Sequence, residues 1–170
     1  MSQPEMYDVV VVGGGPAGAT AADDLASKGL RVLLLDRAGR IKPCGGAIPP
    51  RLMRDFAIPE SLLAARATCA RMVSPADQQV DIHIQGGYVG MVDREVFDEW
   101  LRERAASHGA IRRTGRFERY EADPDGPGAL VHFTATQPRR PGAATDSAAA
   151  DHAESDEQAA GEAVCVRARV

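Results

Sequence analysis

Val9-Val10-Val11-Val12-Gly13-Gly14-Gly15-Pro16-Ala17-Gly18, with Ala22 following, is the stretch whose reading decides the fold. Four β-branched residues in a row predict a strand buried on both faces of a parallel sheet. Glycines follow at once, and from Pro16 the period becomes helical. Gly18, Ala22 and Leu25 are expected on one face, Lys28 in the last turn and Gly29 as the C-terminal stop. Residues 32–35 then make a second apolar strand that ends at Asp36. This is a βαβ unit in under 40 residues, and such crossovers are right-handed with parallel strands. The expected class is α/β: a Rossmann-like βαβ domain with added antiparallel strands, and incomplete.

The turn at residues 13–18 carries the clearest chemistry. A lone G-x-G-x-x-G is a weak signal, but here it sits between a predicted strand and a predicted helix. Gly13 permits the tight turn, Gly15 lets backbone approach a pyrophosphate, and Gly18 with Ala22 allows close helix–sheet packing. Pro16 suits the first helical turn because it has no N–H to lose, and Ala17 follows it in that turn. The helix N-terminus offers unpaired N–H groups and a partial positive charge to phosphates. Asp36 stands 18 residues after Gly18, close to the usual spacing for a carboxylate that hydrogen-bonds an adenosine ribose. It would repel a 2′-phosphate, which favours FAD or NAD over NADP at this site.

Further along, Asp93 is expected to cap a helix on which Phe97, Trp100, Leu101 and Ala105 share a face, ending near Gly109. Arg94 then opens that helix, where a cation opposes the dipole unless an anionic ligand is near. Spacing alone leaves equal room for a flavin contact and an ordinary surface charge, and Arg37 is read more simply as a solvated loop arginine. Lys42-Pro43-Cys44-Gly45-Gly46-Ala47 sets one cysteine between a lysine and two glycines. Nearby positive charge lowers a thiol pKa and glycine permits close approach of a ligand. The four histidines share no metal-ligand spacing, so no metal is assigned.

The rest of the chain reads as follows. Residues 37–50 form a long loop, 51–66 short helices interrupted by Pro59, and 69–74, 80–84 and 88–92 strands, with turns at 75–78 and at Gly86-Gly87. Two more strands are expected at 111–120 and 130–136. Residues 137–163 are rich in Ala, Gly, Pro, Ser and acidic side chains and predict a disordered, removable insertion. Residues 164–170 alternate again, like the start of a strand. A net charge of −4 without a Lys/Arg block argues against a nucleic-acid partner. Three widely spaced cysteines suit a reducing compartment. With no signal-peptide pattern and no apolar run near the roughly 20 residues of a membrane span, a cytosolic (cytoplasmic) location is expected.

Residues 7–18 resemble the opening of the aromatic hydroxylase-like FAD superfamily. Within it, Lys42-Pro43-Cys44-Gly45-Gly46-Ala47-Ile48-Pro49, Met72-Val73-Ser74-Pro75 and Tyr88-Val89-Gly90-Met91-Val92-Asp93-Arg94-Glu95-Val96-Phe97-Asp98 resemble the geranylgeranyl reductases of chlorophyll and bacteriochlorophyll synthesis. The resemblance runs over roughly residues 7–120. It implies an FAD oxidoreductase that uses NADPH to saturate three double bonds of a geranylgeranyl chain, giving the phytyl tail used in photosynthesis. It further implies that Gly13, Gly15, Pro16, Ala17, Gly18, Asp36, Arg37 and Arg94 hold FAD. Cys44, Gly45 and Gly46 would then lie by the isoalloxazine, with Cys44 as candidate proton donor.

The same resemblance sets further expectations. The substrate is a prenyl chain, as the free diphosphate or pigment-bound, and peripheral contact with a photosynthetic membrane is compatible with it. No second glycine-rich fingerprint is present for NADPH. Family members run to about twice this length or more and carry a Gly-Asp flavin motif and a lipid-binding sheet further on. Residues 1–170 are therefore expected to be the N-terminal part of an FAD-binding domain, inactive alone, with flavin motif and substrate domain absent. The insertion at 137–163 departs from the family pattern. An FAD monooxygenase or halogenase shares the fingerprint and would differ by consuming oxygen with product. A non-catalytic truncated remnant is the third reading.

Overall fold

Among residues 4–37, 44–85, 87–136 and 161–169, which the computed structural model describes, the elements run in this order. They are β1 (Glu5–Tyr7), β2 (Val9–Val12), α1 (Pro16–Ala26), β3 (Val32–Asp36), β4 (Ala47–Ile48), α2 (Pro50–Asp55), a 3-10 turn (Glu60–Leu62), β5 (Leu63–Ala67), β6 (Cys69–Val73), β7 (Gln79–His83), β8 (Val89–Val92), α3 (Arg94–Ser107), β9 (Ile111–Ala122), β10 (Ala129–Ala135) and β11 (Glu162–Ala168). They fall into two units, Met1–Arg40 with Leu101–Val170, and Ile41–Trp100.

The first unit is built on a mixed sheet of order β1-β11-β10-β9-β3-β2. β1 and β2 are successive stretches of one extended segment, yet they end this order on opposite sides, so the sheet curls back on itself. Asp8 marks the change of partner: its carboxylate accepts the Arg31 N–H at 2.8 Å, and its own N–H donates to the Arg31 carbonyl at 2.9 Å. Before it, Glu5–Tyr7 runs parallel to β11; after it, Val9–Val12 runs parallel to β3. β9 divides in the same way. Its first residues lie parallel to β3, with Asp36 opposite Thr114, and from Gly115 on it pairs antiparallel with β10. A Cβ on Gly115 would stand 2.7 Å from the Phe133 ring and 2.8 Å from the Thr134 carbonyl, so the strand can part company there only as glycine. Tyr7, Leu33, Leu35, Val131, Phe133, Val166 and Ala168 fill the core inside the curl.

The expected βαβ unit is present, with three adjustments, the first being that α1 ends at Ala26 with Ser27 as its C-cap, so Lys28 falls in the turn beyond the helix, before Gly29 at φ +81°. β3 is buried from Val32 to Leu35, but β2 is only half-buried and Val12 is 50% exposed. β2 ends the strand order, and Val12 borders an open pocket. The buried face of α1 is Ala19, Ala22, Asp23 and Ala26, one residue out of phase with the expected face. The cause is Asp23, a polar residue that periodicity counts as outward. It is held inside by an ion pair to Arg104 at 2.9 Å and by a contact to His108.

The second unit holds a small sheet of order β4-β8-β5 and a β6-β7 hairpin. The strands expected at 69–74, 80–84 and 88–92 are β6, β7 and β8. Residues 51–66 are helical only as far as Asp55 and in the 3-10 turn; Leu63–Ala67 is a strand, drawn into register by β8. β4 falls inside the expected loop, where Ala47 and Ile48 pair with Met91 and Gly90. α3 starts as read: the Asp93 carboxylate accepts the Glu95 N–H at 2.8 Å, and Phe97, Leu101 and Ala105 are buried. It ends at Ser107, with Gly109 at φ +106°.

β11 begins at Glu162, inside the expected insertion. Glu162 pairs with Ala135 and Ala163 with Thr134, since a backbone ladder needs no apolar side chain to extend. The remainder of that insertion, residues 137–160, lies outside the described residues, as do Lys42, Pro43 and Gly86.

Candidate dinucleotide site

The turn between β2 and α1 has the geometry that its glycines imply. Gly13 adopts φ +104°, and its N–H donates to the Leu35 carbonyl at 2.8 Å, which ties the turn to the end of β3. A Cβ on Gly18 would lie 1.8 Å from the Gly13 carbonyl oxygen, so the first turn of α1 closes on the loop only without a side chain there. Gly15 is different. It is the N-cap of α1 with φ −72°, an ordinary conformation, and a Cβ on it meets nothing within 4 Å. Pro16 is the first helical residue, no side chain caps the helix, and its first turn contains no acidic residue. The uncapped N–H groups and the dipole therefore face open space that suits an anion.

Next to the turn is a pocket of ≈ 330 Å³ lined by Val12, Gly13, Leu35, Asp36, Arg37, Gly115, Arg116 and Phe117. It lies beyond the carboxyl ends of β2 and β3, where β9 leaves β3 for β10. Ligands of open α/β sheets bind in such a crevice. Asp36 and Arg37, both singled out from sequence, line it; Arg116 and Phe117 were not foreseen, because no local pattern reports where β9 diverges. Arg102 also escaped the sequence reading. Its Nη1 donates to the Gly14 carbonyl at 3.1 Å and lies 3.2 Å from Asp36 Oδ2. The adenosine diphosphate end of a dinucleotide fits this arrangement: open backbone for the diphosphate, a carboxylate for the ribose, and a slot for the base.

The other expected residues lie in the second unit. Arg94 is neither a loose surface charge nor visibly reserved for a ligand. Its Nε and Nη2 donate to the two carboxylate oxygens of Asp98 at 2.7 and 2.8 Å, with side chains only 16% and 6% exposed. The Asp98 carboxylate holds the guanidinium above its ordinary pKa, and a hydrogen bond to Cys44 acts in the same direction. Arg94 and Cys44, 50 residues apart in sequence, are thus brought together. The Asp98 partner was legible as an i,i+4 pair. Arg94→Met would leave the Asp98 carboxylate buried without its cation, and a loss of about 3 kcal/mol is expected. A chemical denaturation midpoint within error of wild type would show that the pair does not matter. Gly46 has a structural reason of its own: it adopts φ +67°, and a Cβ would lie 2.1 Å from the Val92 carbonyl oxygen. Cys44 is exposed, and Gly45 has open space around it. Among the described residues, no group of three His, Cys, Asp or Glu side chains gathers in a metal-binding arrangement.

The comparison with known families bears on this geometry directly. The family described as pyridine nucleotide-disulphide oxidoreductase matches residues 7–122, which include the turn, Asp36, Arg102 and the diverging β9. The chain belongs to the pyridine nucleotide-disulphide oxidoreductase family. Among members close to it, a geranylgeranyl diphosphate reductase of Rhodobacter capsulatus is 68% identical over 117 residues, covering 69% of this chain and 30% of the relative. A chloroplastic geranylgeranyl diphosphate reductase of Oryza sativa is 44% identical over 133 residues, 74% of this chain and 28% of that one. The chain thus spans less than a third of these relatives. The resemblance to geranylgeranyl reductases read from the motifs is borne out. In fold, the chain resembles a geranylgeranyl bacteriochlorophyll reductase-like protein of Thermoplasma acidophilum, with TM-score 0.73 and 24% identity over 96% of this chain and 38% of that one. A flavin-dependent brominase shares the fold at TM-score 0.61 and 24% identity over 74% of this chain and 34% of the other.

Proposed function

We propose that this chain is the nucleotide-gripping part of an FAD-dependent oxidoreductase that reduces the double bonds of a geranylgeranyl chain, with NADPH as the reductant. The observation that carries the proposal is the 68% identity to a geranylgeranyl diphosphate reductase across 117 residues. Gly13, Gly15 and Gly18 with the uncapped start of α1 would hold the diphosphate, Asp36 the adenosine ribose, and the pocket between Arg37 and Phe117 the base. FAD, when bound and reduced, supplies a hydride. An isolated double bond has no polarising group, so the carbon next to the one receiving hydride must be given a proton. Cys44 is the proposed donor from Sγ, and Arg94, anchored by Asp98, positions it. The named activity of the relatives favours the free diphosphate as substrate over the pigment-bound alcohol. A prenyl chain partitions into lipid, so peripheral contact with a photosynthetic membrane belongs to the same proposal. Among the described residues no helix is long and apolar enough to cross a membrane.

The full-length protein is expected to purify with bound flavin and to convert geranylgeranyl diphosphate with NADPH, as read by product mass. Oxygen consumed in proportion to product would point to the monooxygenase or halogenase chemistry instead. Cys44→Ala in that protein is expected to lower turnover at least 100-fold, the lower end of what a positioned proton donor contributes. Wild-type rates in Cys44→Ala and Cys44→Ser would remove this thiol from the chemistry.

A further inference from the structure

The G-x-G-x-x-G fingerprint leaves its second position open, yet this chain has glycine there. A Cβ on Gly14 would lie 2.8 Å from Asp36 Oδ2 and 2.9 Å from Arg102 Cδ. A side chain at this position would push against the Asp36 carboxylate and against the Arg102 stem, which crosses the turn on its way to Asp36. Arg102 is mostly buried, with 16% of its side chain exposed, whereas Asp36 keeps 32% open toward the pocket. One nitrogen, Nη1, meets both the Gly14 carbonyl and Asp36 Oδ2.

We propose that Arg102 is a positioning residue for the ribose-binding carboxylate. It fastens Asp36 Oδ2 to the phosphate turn and thereby presents Oδ1 to the adenosine ribose. This inference rests on the flavin reading of the turn and adds to it a residue outside the fingerprint. Two physical effects follow. A carboxylate tied by one oxygen loses its rotamer freedom before the ligand arrives, so less ordering is left to offset on binding. Asp36 and a diphosphate also carry the same sign of charge, and Arg102 supplies positive charge beside both. A lysine would supply the charge, but its ammonium is a compact point on a flexible stem and does not keep the fixed guanidinium geometry that holds Nη1 between the turn and the carboxylate.

The test uses the full-length protein stripped of flavin, titrated with FAD and with FAD whose adenosine lacks the 2′-hydroxyl. Wild type is expected to prefer FAD. Arg102→Met should weaken FAD about tenfold, about 1.4 kcal/mol, and erase most of that preference; Arg102→Lys should recover affinity but little of the preference. In an Asp36→Asn background, Arg102→Met should leave the FAD-to-analogue ratio unchanged, since Arg102 acts through that carboxylate. The ratio is measured on folded protein, with the melting temperature of each apoprotein as the control. Wild-type affinity and preference in Arg102→Met would overturn the proposal. So would equal losses for FAD and analogue, which indicate a merely structural role. Failure of the wild type to bind FAD at all is a separate outcome and would overturn the flavin reading beneath it.

Discussion

Gly18→Ala is expected to destabilise the protein by about 3 kcal/mol, the upper part of the range for overpacking a close-packed site. The added Cβ would fall 1.8 Å from the Gly13 carbonyl oxygen, which is backbone and cannot swing aside as a flexible side-chain end can. Either the turn opens or the first turn of α1 lifts from Val11, whose Cγ1 is 3.4 Å from the same point. A lowering of the melting temperature on the order of 6–12 °C corresponds to that cost. Flavin should be lost as well, because the phosphate turn no longer closes. A variant that melted with wild type would show that the turn relaxes freely and that the observed closeness is not a constraint.

Gly15→Leu should do the opposite: leave the fold alone and remove the ligand. At φ −72° a leucine is unstrained, and nothing lies within 4 Å of its Cβ. The melting temperature of the apoprotein should therefore stay within a degree or two of wild type, as for a surface substitution away from packed features. The space that the side chain enters is the one in which the diphosphate would meet the helix N-terminus. A loss of FAD affinity of at least 100-fold, about 2.7 kcal/mol, is expected in a flavin titration. Stoichiometric FAD in the purified variant would sink the phosphate-cradle reading while leaving the fold untouched. Taken together, the two glycines separate what the turn needs in order to exist from what it needs in order to bind.

The difference between those two glycines was not visible in the sequence, where both are letters of one fingerprint. What the sequence alone determined was local. A run of four valines, glycines at the right separations, a proline that opens a helix and an aspartate 18 residues after Gly18 each report on backbone conformation or on neighbours within one βαβ unit. The same holds for Asp93 as the cap of α3. These signals are short-ranged, and one-dimensional spacing encodes them.

The tertiary structure decided everything that depends on which distant segments meet. Arg102 reaches Asp36 across 66 residues, Arg94 reaches Cys44 across 50, and β9 switches partners at Gly115 to open the pocket. Asp23 is polar, and its burial became tolerable only because Arg104 on α3 and His108 just past the end of α3 pair with it. Glu162 and Ala163 look like insertion until β10 offers them a ladder. Local propensity carries no record of such partners, because the free energy that fixes them comes from desolvation and pairing realised only when the chain is folded.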